Sequence, residues 1–185
     1  MKAGFRTYTG VEPEQILFER AKSVLNFQMV QEALPNLSFP DARFEAAIAS
    51  HVIEHAASPI EAQLWVREMS RVLTPGGAIV IVAPDVREYR QYFYDQDWSH
   101  GWPTTPRRIQ QLCESAGLDV AYVGVMHLGR LGVTWRAVSA FLSLLTPTQL
   151  GDSLSSKLAR RPLISGTKSL LIWGWAYVIA TKPNQ

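Results

Sequence analysis

The fold is decided by the stretch Phe44-Glu45-Ala46-Ala47-Ile48-Ala49-Ser50-His51-Val52-Ile53-Glu54-His55. Its first seven residues are nearly all apolar, which predicts a strand buried on both faces, as in a parallel sheet. The polar residues Ser50 and His51 stand where this strand ends. In open α/β sheets, the carboxyl ends of the strands form the edge at which ligands bind.

Helices and further strands alternate on both sides of this stretch. Residues 60–73 have the apolar spacing of an amphipathic helix, residues 74–77 (Thr-Pro-Gly-Gly) end it, and residues 78–83 form a second apolar strand ended by Pro84. Additional strands are predicted at 5–11, 25–30, 118–125 and 169–181, and additional helices from Pro13, over 105–116 and over 131–145. This alternation is typical of a doubly wound α/β sheet.

The composition is that of an ordinary globular protein. The 185 residues are 47% hydrophobic and 18% charged, and a net charge of +2 is too small to indicate a nucleic-acid partner. Cys113 is the only cysteine, so no internal disulfide can form, which fits a reducing compartment. No secretory signal is recognisable, and the longest apolar run, 170–180, is too short to span a membrane. We therefore expect a cytoplasmic protein.

Residues 44–55 resemble the fourth-strand motif of class I S-adenosylmethionine-dependent methyltransferases, in the type 11/23-like branch that acts on small molecules. Residues 71–77 (Arg-Val-Leu-Thr-Pro-Gly-Gly) match the end of the helix before that family's fifth strand. Weaker matches lie at 10–13, 104–118 and 177–183. The resemblance implies a Rossmann-like α/β sheet whose last strand is antiparallel. It also implies a partial methyltransferase core at 1–127 and 168–185, with a helical insertion or lid at 128–167.

The N-terminal region departs from the family pattern. In the family, a strand with a Gly-x-Gly-type loop and a helix precede the strand that carries the acid, yet only eleven residues precede Glu12 here. We therefore expect an N-terminally truncated chain without the glycine-rich cofactor motif, in which the sheet is incomplete at its central strand. The strands on either side would lose their shared neighbour, and each unpaired buried backbone group costs about 1–3 kcal/mol. A protein partner or self-association at the open sheet is then expected.

The resemblance also implies cofactor-binding residues. Glu12 matches the acid that accepts hydrogen bonds from the ribose of S-adenosylmethionine, and a carboxylate suits a cis-diol. Gln31 or Glu32 occupies the position of the adenine contact. Ser50 and His51 are expected to line the methyl-donor pocket. The alternative for Glu12 is a surface glutamate at the end of a strand, and the alternative for Glu32 is a charge in a loop.

Residues 89–100 are rich in aromatic and polar side chains and border the acceptor pocket of the relatives. A pocket of this kind suits a small organic acceptor, and His100 is the candidate for the group that removes its proton. Its alternative is a packing role near the following helix. An apolar patch within 131–145 is expected to be core, with a lid over a hydrophobic acceptor or a membrane-surface helix as the alternatives.

His51-Val52-Ile53-Glu54-His55 also spells the His-x-x-Glu-His pattern of inverted zinc proteases. Because a strand leads directly into His51 and no third ligand is evident, we expect Glu54 and His55 to organise the loop and expect no metal. The sequence thus predicts methyl transfer from S-adenosylmethionine to a small molecule in the intact protein. The alternative is a non-catalytic methyltransferase-like fragment or a scaffold that binds a partner.

Overall fold

The computed structural model describes residues 7–126 and 174–184. The predicted helix at 131–145 and the insertion at 128–167 lie outside these residues, so the proposed division into domains stays a prediction. Within the described ranges, no helix combines the length and the apolar character needed to cross a membrane. The elements are, in chain order, β1 Thr9–Val11, α1 Gln15–Val24, β2 Gln28–Val30, β3 Phe44–Ser50, α2 Pro59–Val72, β4 Leu73–Pro84, α3 Val86–Tyr89, α4 Tyr92–Gln96, α5 Pro106–Ser115, β5 Asp119–Met126 and β6 Trp175–Thr181.

The strands form two sheets. Four of them lie in the order β3-β4-β6-β5, with β3 and β4 parallel and β6 antiparallel to both of its neighbours. This arrangement confirms the predicted α/β sheet with an antiparallel last strand. β1 and β2 pair in parallel as a separate two-stranded sheet. Among the described residues, no strand bridges β1 and β3, in keeping with the predicted gap at the centre of the sheet.

The hydrophobic core lies between the four-stranded sheet and the helices α2 and α5. Burial alternates along the strands, so that Ile79 and Ile81 of β4 and Val178 of β6 are completely buried on one face. Val66 of α2 and Ile109 of α5 belong to the same apolar cluster. The period of two along the strands and the amphipathic helices therefore produce one continuous core.

The prediction that β3 is buried on both faces was wrong. Ala49 is buried in the core, but the adjacent Ile48 points to the opposite face and is 72% exposed. The physical reason is that the described helices in contact with this sheet, α2 and α5, contribute their buried side chains to the cluster on the Ala49 side. An apolar strand thus lies at a sheet edge with one face largely open.

The ends of α2 are fixed by specific hydrogen bonds. Ser58 accepts a hydrogen bond from the Glu61 backbone at 3.1 Å, and Glu61 reaches back to accept one from the Ala57 N–H at 2.6 Å. This reciprocal arrangement resembles a capping box. At the other end, the Lys182 ammonium donates to the carbonyls of Ser70 at 2.9 Å and Leu73 at 2.8 Å. Lys182 therefore joins the chain after β6 to the carboxyl end of α2, where a positive charge is favourable.

β4 begins earlier than the sequence indicates. Residues 74–77 were expected to form only a loop, but they continue the strand, because Gly76 and Gly77 exchange backbone hydrogen bonds with Lys182 at 2.9 Å. Gly76 has φ +74°, a conformation that favours glycine. α5 matches its prediction closely: Thr105 caps it through the Arg108 N–H at 3.2 Å, and Gly117 follows it with φ +76°.

Candidate functional site

Glu12 and Gln31 follow the ends of adjacent parallel strands. Val11 is in register with Val30, and the Glu12 N–H donates to the Val30 carbonyl at 3.1 Å. One carboxylate oxygen of Glu12 accepts the N–H of Glu14 at 3.0 Å, and no bond to its second oxygen occurs among the described residues. The structure therefore brings two predicted cofactor-binding residues to one sheet edge and leaves an acceptor atom of Glu12 available.

Unlike Glu12, Glu32 has both carboxylate oxygens engaged in hydrogen bonds within its own loop. Its carboxylate accepts a hydrogen bond from the Ser38 N–H at 3.0 Å and another from the Ser38 hydroxyl. These contacts close the loop between β2 and β3. Gln31 is exposed and carries no such bond in the described part of the chain.

Ser50 and His51 lie at the corresponding edge of the four-stranded sheet. The His51 N–H donates to the Val82 carbonyl at 2.8 Å, so the chain stays paired with β4 to this point. His51 has φ +55°, which is unusual for a residue other than glycine and is often retained at functional sites. No hydrogen bond between described residues connects this pair with Glu12 and Gln31.

Trp175 is a neighbour of His51 that sequence reasoning missed. The two rings meet edge to face, with centroids 5.7 Å apart, and the Trp175 indole donates to the Tyr89 hydroxyl at 2.9 Å. Burial raises the pKa of Tyr89 above its usual range. The sequence feature that could have identified Trp175 is the antiparallel last strand, β6. Its first residue, Trp175, pairs with Pro84 at the carboxyl end of β4.

Asp85 also lies at this edge and is completely buried. Its carboxylate accepts the Arg87 N–H at 3.0 Å and the Arg87 guanidinium at 2.6 Å. The same contact raises the pKa of Arg87. These bonds fix the start of α3, so Asp85 has a positioning role here.

A one-turn 3-10 helix, Ile53–His55, docks against the loop that carries His100. The N–H groups of Gly101 and Trp102 both donate to the Glu54 carbonyl at 3.0 Å. A Cβ atom on Gly101 would lie 2.6 Å from the Ala56 carbonyl oxygen, so this approach requires glycine. The contact brings the rings of His55 and His100 to a centroid distance of 5.0 Å.

The aromatic stretch before His100 does not form a continuous wall. Phe93 is buried, with its ring 4.6 Å from that of His100, whereas Tyr94 is mostly exposed and Trp98 is 96% exposed. His100 is buried, and its Nδ1 lies 2.6 Å from the Phe93 carbonyl. Within the described ranges, Trp98 is therefore directed to solvent.

Comparison with known proteins relates the N-terminal part of the chain to a protein family. Residues 1–81 match the family described as methyltransferase domain, a range that includes Glu12, Gln31, Ser50 and His51. No curated protein matches the sequence significantly.

Three solved structures share the fold at low sequence identity. One is a chain of a complex containing the Haloferax volcanii Trm112 methyltransferase activator (11% identity, TM-score 0.67, 96% of this chain and 72% of that chain covered). The second is a SAM-dependent methyltransferase from Archaeoglobus fulgidus (18%, 0.60, 94% and 75%). The third is the [4+2]-cyclase SpnF (17%, 0.60, 97% and 67%). The chain therefore resembles the class I S-adenosylmethionine-dependent methyltransferases, in the sequence of residues 1–81 and in its fold.

Proposed function

We propose that the protein transfers a methyl group from S-adenosylmethionine to a small-molecule acceptor, with the cofactor held at the carboxyl ends of β1, β2 and β3. The observation that carries this proposal is the position of Glu12 directly after β1, beside Gln31 on the neighbouring strand. Ligands of open α/β folds bind at this edge. A fold alone does not establish an activity; the individual residues at this edge support this one.

Glu12 fits the ribose of the cofactor. Its side chain is partly exposed, and the Glu14 N–H engages only one of its two oxygens. A carboxylate oxygen can accept a strong hydrogen bond from a ribose hydroxyl, because the acceptor is charged. The bond from Glu14 holds the carboxylate in place before the ligand arrives.

The remaining contacts follow from the strand ends. Gln31 is the better adenine contact than Glu32, because the Glu32 carboxylate already accepts two hydrogen bonds from Ser38. Ser50 and His51 would border the methyl donor, and the edge-to-face contact with Trp175 limits the orientations of the His51 ring.

S-adenosylmethionine, when bound, supplies an electrophilic methyl group with a good leaving group. The protein's main contribution is therefore alignment of the acceptor. His100 is our candidate to take a proton from the acceptor. The Phe93 carbonyl can only accept, so Nδ1 of His100 carries the proton in that bond, and in the neutral form of the ring the lone pair is on Nε2.

The test is calorimetric titration of S-adenosylhomocysteine into the 185-residue chain and two variants. Glu12→Gln should weaken binding by about 10–100-fold, since hydrogen bonds to charged groups contribute about 1.5–3 kcal/mol. Glu19→Gln, on an exposed position of α1, is the matched control and should leave affinity unchanged. No binding by folded wild-type protein, or equal affinity of wild type and Glu12→Gln, would contradict the proposal.

We also propose that the open edge of β3 pairs with a strand of a protein partner or of a second copy. β3 pairs only with β4 among the described strands, and it exposes Ile48 beside its free backbone groups. Such an edge is a template for strand addition. Sedimentation velocity should show association that increases with concentration and decreases in Ile48→Lys; a monomer at all concentrations would count against self-pairing.

A further inference from the structure

We infer that Glu54, His55 and His100 form a binding site for a divalent transition-metal ion of the zinc type. A carboxylate oxygen of Glu54 and one ring nitrogen from each histidine lie within 4.8 Å of one another. Glu54 and His100 are buried and His55 is half-buried. None of its ligands is a cofactor contact proposed above, but the site shares His100 with the proposed proton acceptor.

The Glu54 carboxylate provides the first independent reason. Its side chain is 0% exposed, and neither of its oxygens has a hydrogen-bond partner among the described residues. The Nδ1 atom of His51 lies 3.3 Å from Glu54 Oε1, but the two atoms do not have hydrogen-bond geometry. A buried carboxylate without partners is strongly unfavourable, and a bound cation is one of the few groups that compensates it.

The orientation of the two histidines provides the second reason. Ser99 Oγ donates to the Asp97 carboxylate at 2.6 Å, so it must accept from His55 Nδ1 at 2.8 Å. His100 Nδ1 donates in the same way to the Phe93 carbonyl at 2.6 Å. In the neutral form of each ring, the form that binds metal, the lone pair is therefore on Nε2. Metal-binding histidines usually donate their other ring N–H to a carbonyl or a carboxylate-linked group, which fixes the tautomer in this manner.

The ligand set selects the class of metal. Two imidazoles and one carboxylate are the protein ligands of an open zinc site, in which a fourth position remains for water or another molecule. Bonds of about 2.0–2.1 Å place tetrahedral ligands roughly 3.3 Å apart, so the atoms need to approach by roughly 1.5 Å at most, within the reach of side-chain rotation. Hard ions such as Mg²⁺ prefer oxygen ligands and should bind poorly.

This site differs from the one that the His-x-x-Glu-His pattern would specify. That pattern uses both His51 and His55, whereas the described cluster comprises Glu54, His55 and His100. The third ligand comes from a loop far along the chain, which Gly101 allows to pack against the 3-10 turn. A bound ion would use the Nε2 lone pair of His100, so metal should inhibit any reaction in which His100 is the base.

The test uses untagged, metal-free protein titrated with Zn²⁺ by calorimetry and with Co²⁺ by visible absorption. We expect one ion per chain, with Co²⁺ giving the intense visible bands of low coordination. Glu54→Gln keeps the shape of the side chain and should weaken Zn²⁺ binding by more than about 100-fold, since loss of a supporting second-shell partner alone costs about 10–100-fold. Glu19→Gln is the matched carboxylate control and should change nothing.

Two further variants keep the test decisive if Glu54→Gln is unstable. Ser99→Ala, at a half-buried position, should weaken Zn²⁺ binding by about 10–100-fold because His55 loses its orienting partner. The inference fails if no stoichiometric Zn²⁺ binds, if Glu54→Gln binds like the wild type, or if equimolar Mg²⁺ displaces Co²⁺. It also fails if His51→Gln abolishes binding while His100→Gln leaves it unchanged, since the ion would then occupy a different site.

Discussion

Replacing Gly101 with alanine should disrupt the contact that assembles the Glu54–His100 region. The new Cβ would lie 2.6 Å from the Ala56 carbonyl oxygen and 3.1 Å from the Ala57 Cα, and neither backbone atom can move without displacing the turn. Overpacking of this kind costs about 1–3 kcal/mol. The displacement also weakens the two hydrogen bonds to the Glu54 carbonyl, each contributing about 1 kcal/mol. We therefore expect Gly101→Ala to lower the free energy of unfolding by about 2–4 kcal/mol.

Urea denaturation followed by tryptophan fluorescence measures this loss, and Gly117→Ala is the matched control. Gly117 has φ +76°, but a Cβ there would have no neighbour within 4 Å. Its substitution therefore carries only the conformational cost of a left-handed residue, about 1–2 kcal/mol, partly offset by the stiffer unfolded chain. A loss in Gly101→Ala no larger than that in Gly117→Ala, at unchanged m-value, would refute the packing argument.

Three other substitutions or reactions test the structure. Lys182→Met should lower the free energy of unfolding by about 2 kcal/mol, because two charge-assisted hydrogen bonds to the end of α2 are lost. Urea midpoints of this variant and of the control Lys22→Met measure the loss. Equal losses in the two variants would contradict the prediction. Burial raises the pKa of Cys113 to about 12, which leaves little of the reactive thiolate near pH 8. A thiol reagent should therefore react on the order of 1,000-fold more slowly with the folded protein than with the unfolded protein. Comparable rates would contradict the burial of Cys113. Arg71 lowers the pKa of Glu68 in the folded protein, so their ion pair stabilises the fold above the pKa that Glu68 has in the unfolded chain. This stability is lost as the pH falls through the pKa of Glu68 in the folded protein. The difference in urea midpoint between wild type and Arg71→Gln should therefore shrink in acid, and a constant difference would contradict the pairing.

The elements that the sequence predicted well are those set by local patterns. The limits of β3, α2 and α5 follow from an apolar run, helical spacing and capping residues next to each element. The start of β4 was misplaced because its first residues are held by Lys182, which is remote in sequence. The exposure of Ile48 was missed for a similar reason, since burial of a face depends on which helices cover it.

The residues of the candidate site also fall into two groups, those that local patterns predict and those that depend on contacts between distant segments. Glu12, Gln31, Ser50 and His51 could be proposed because each follows a strand, and strand ends meet at predictable edges. Trp175 and the grouping of Glu54 with His100 depend on contacts between distant segments. The backbone carbonyl of Glu54 accepts two hydrogen bonds and so organises the loop, whereas its side chain has no hydrogen-bond partner in the described part of the chain. A short sequence motif cannot indicate whether the backbone or the side chain of a residue makes such contacts.

Hydrogen–deuterium exchange with and without S-adenosylhomocysteine tests the central claim most directly, because it reports both binding and its location. We predict that the ligand slows exchange in peptides covering residues 10–14, 28–33 and 49–55, which contain the ends of β1, β2 and β3 and the residues after them. At a ligand concentration near the dissociation constant of the wild type, Glu12→Gln should remove most of this protection. Binding without protection of these segments, or protection confined to α5 and β5, would contradict the proposed cofactor site.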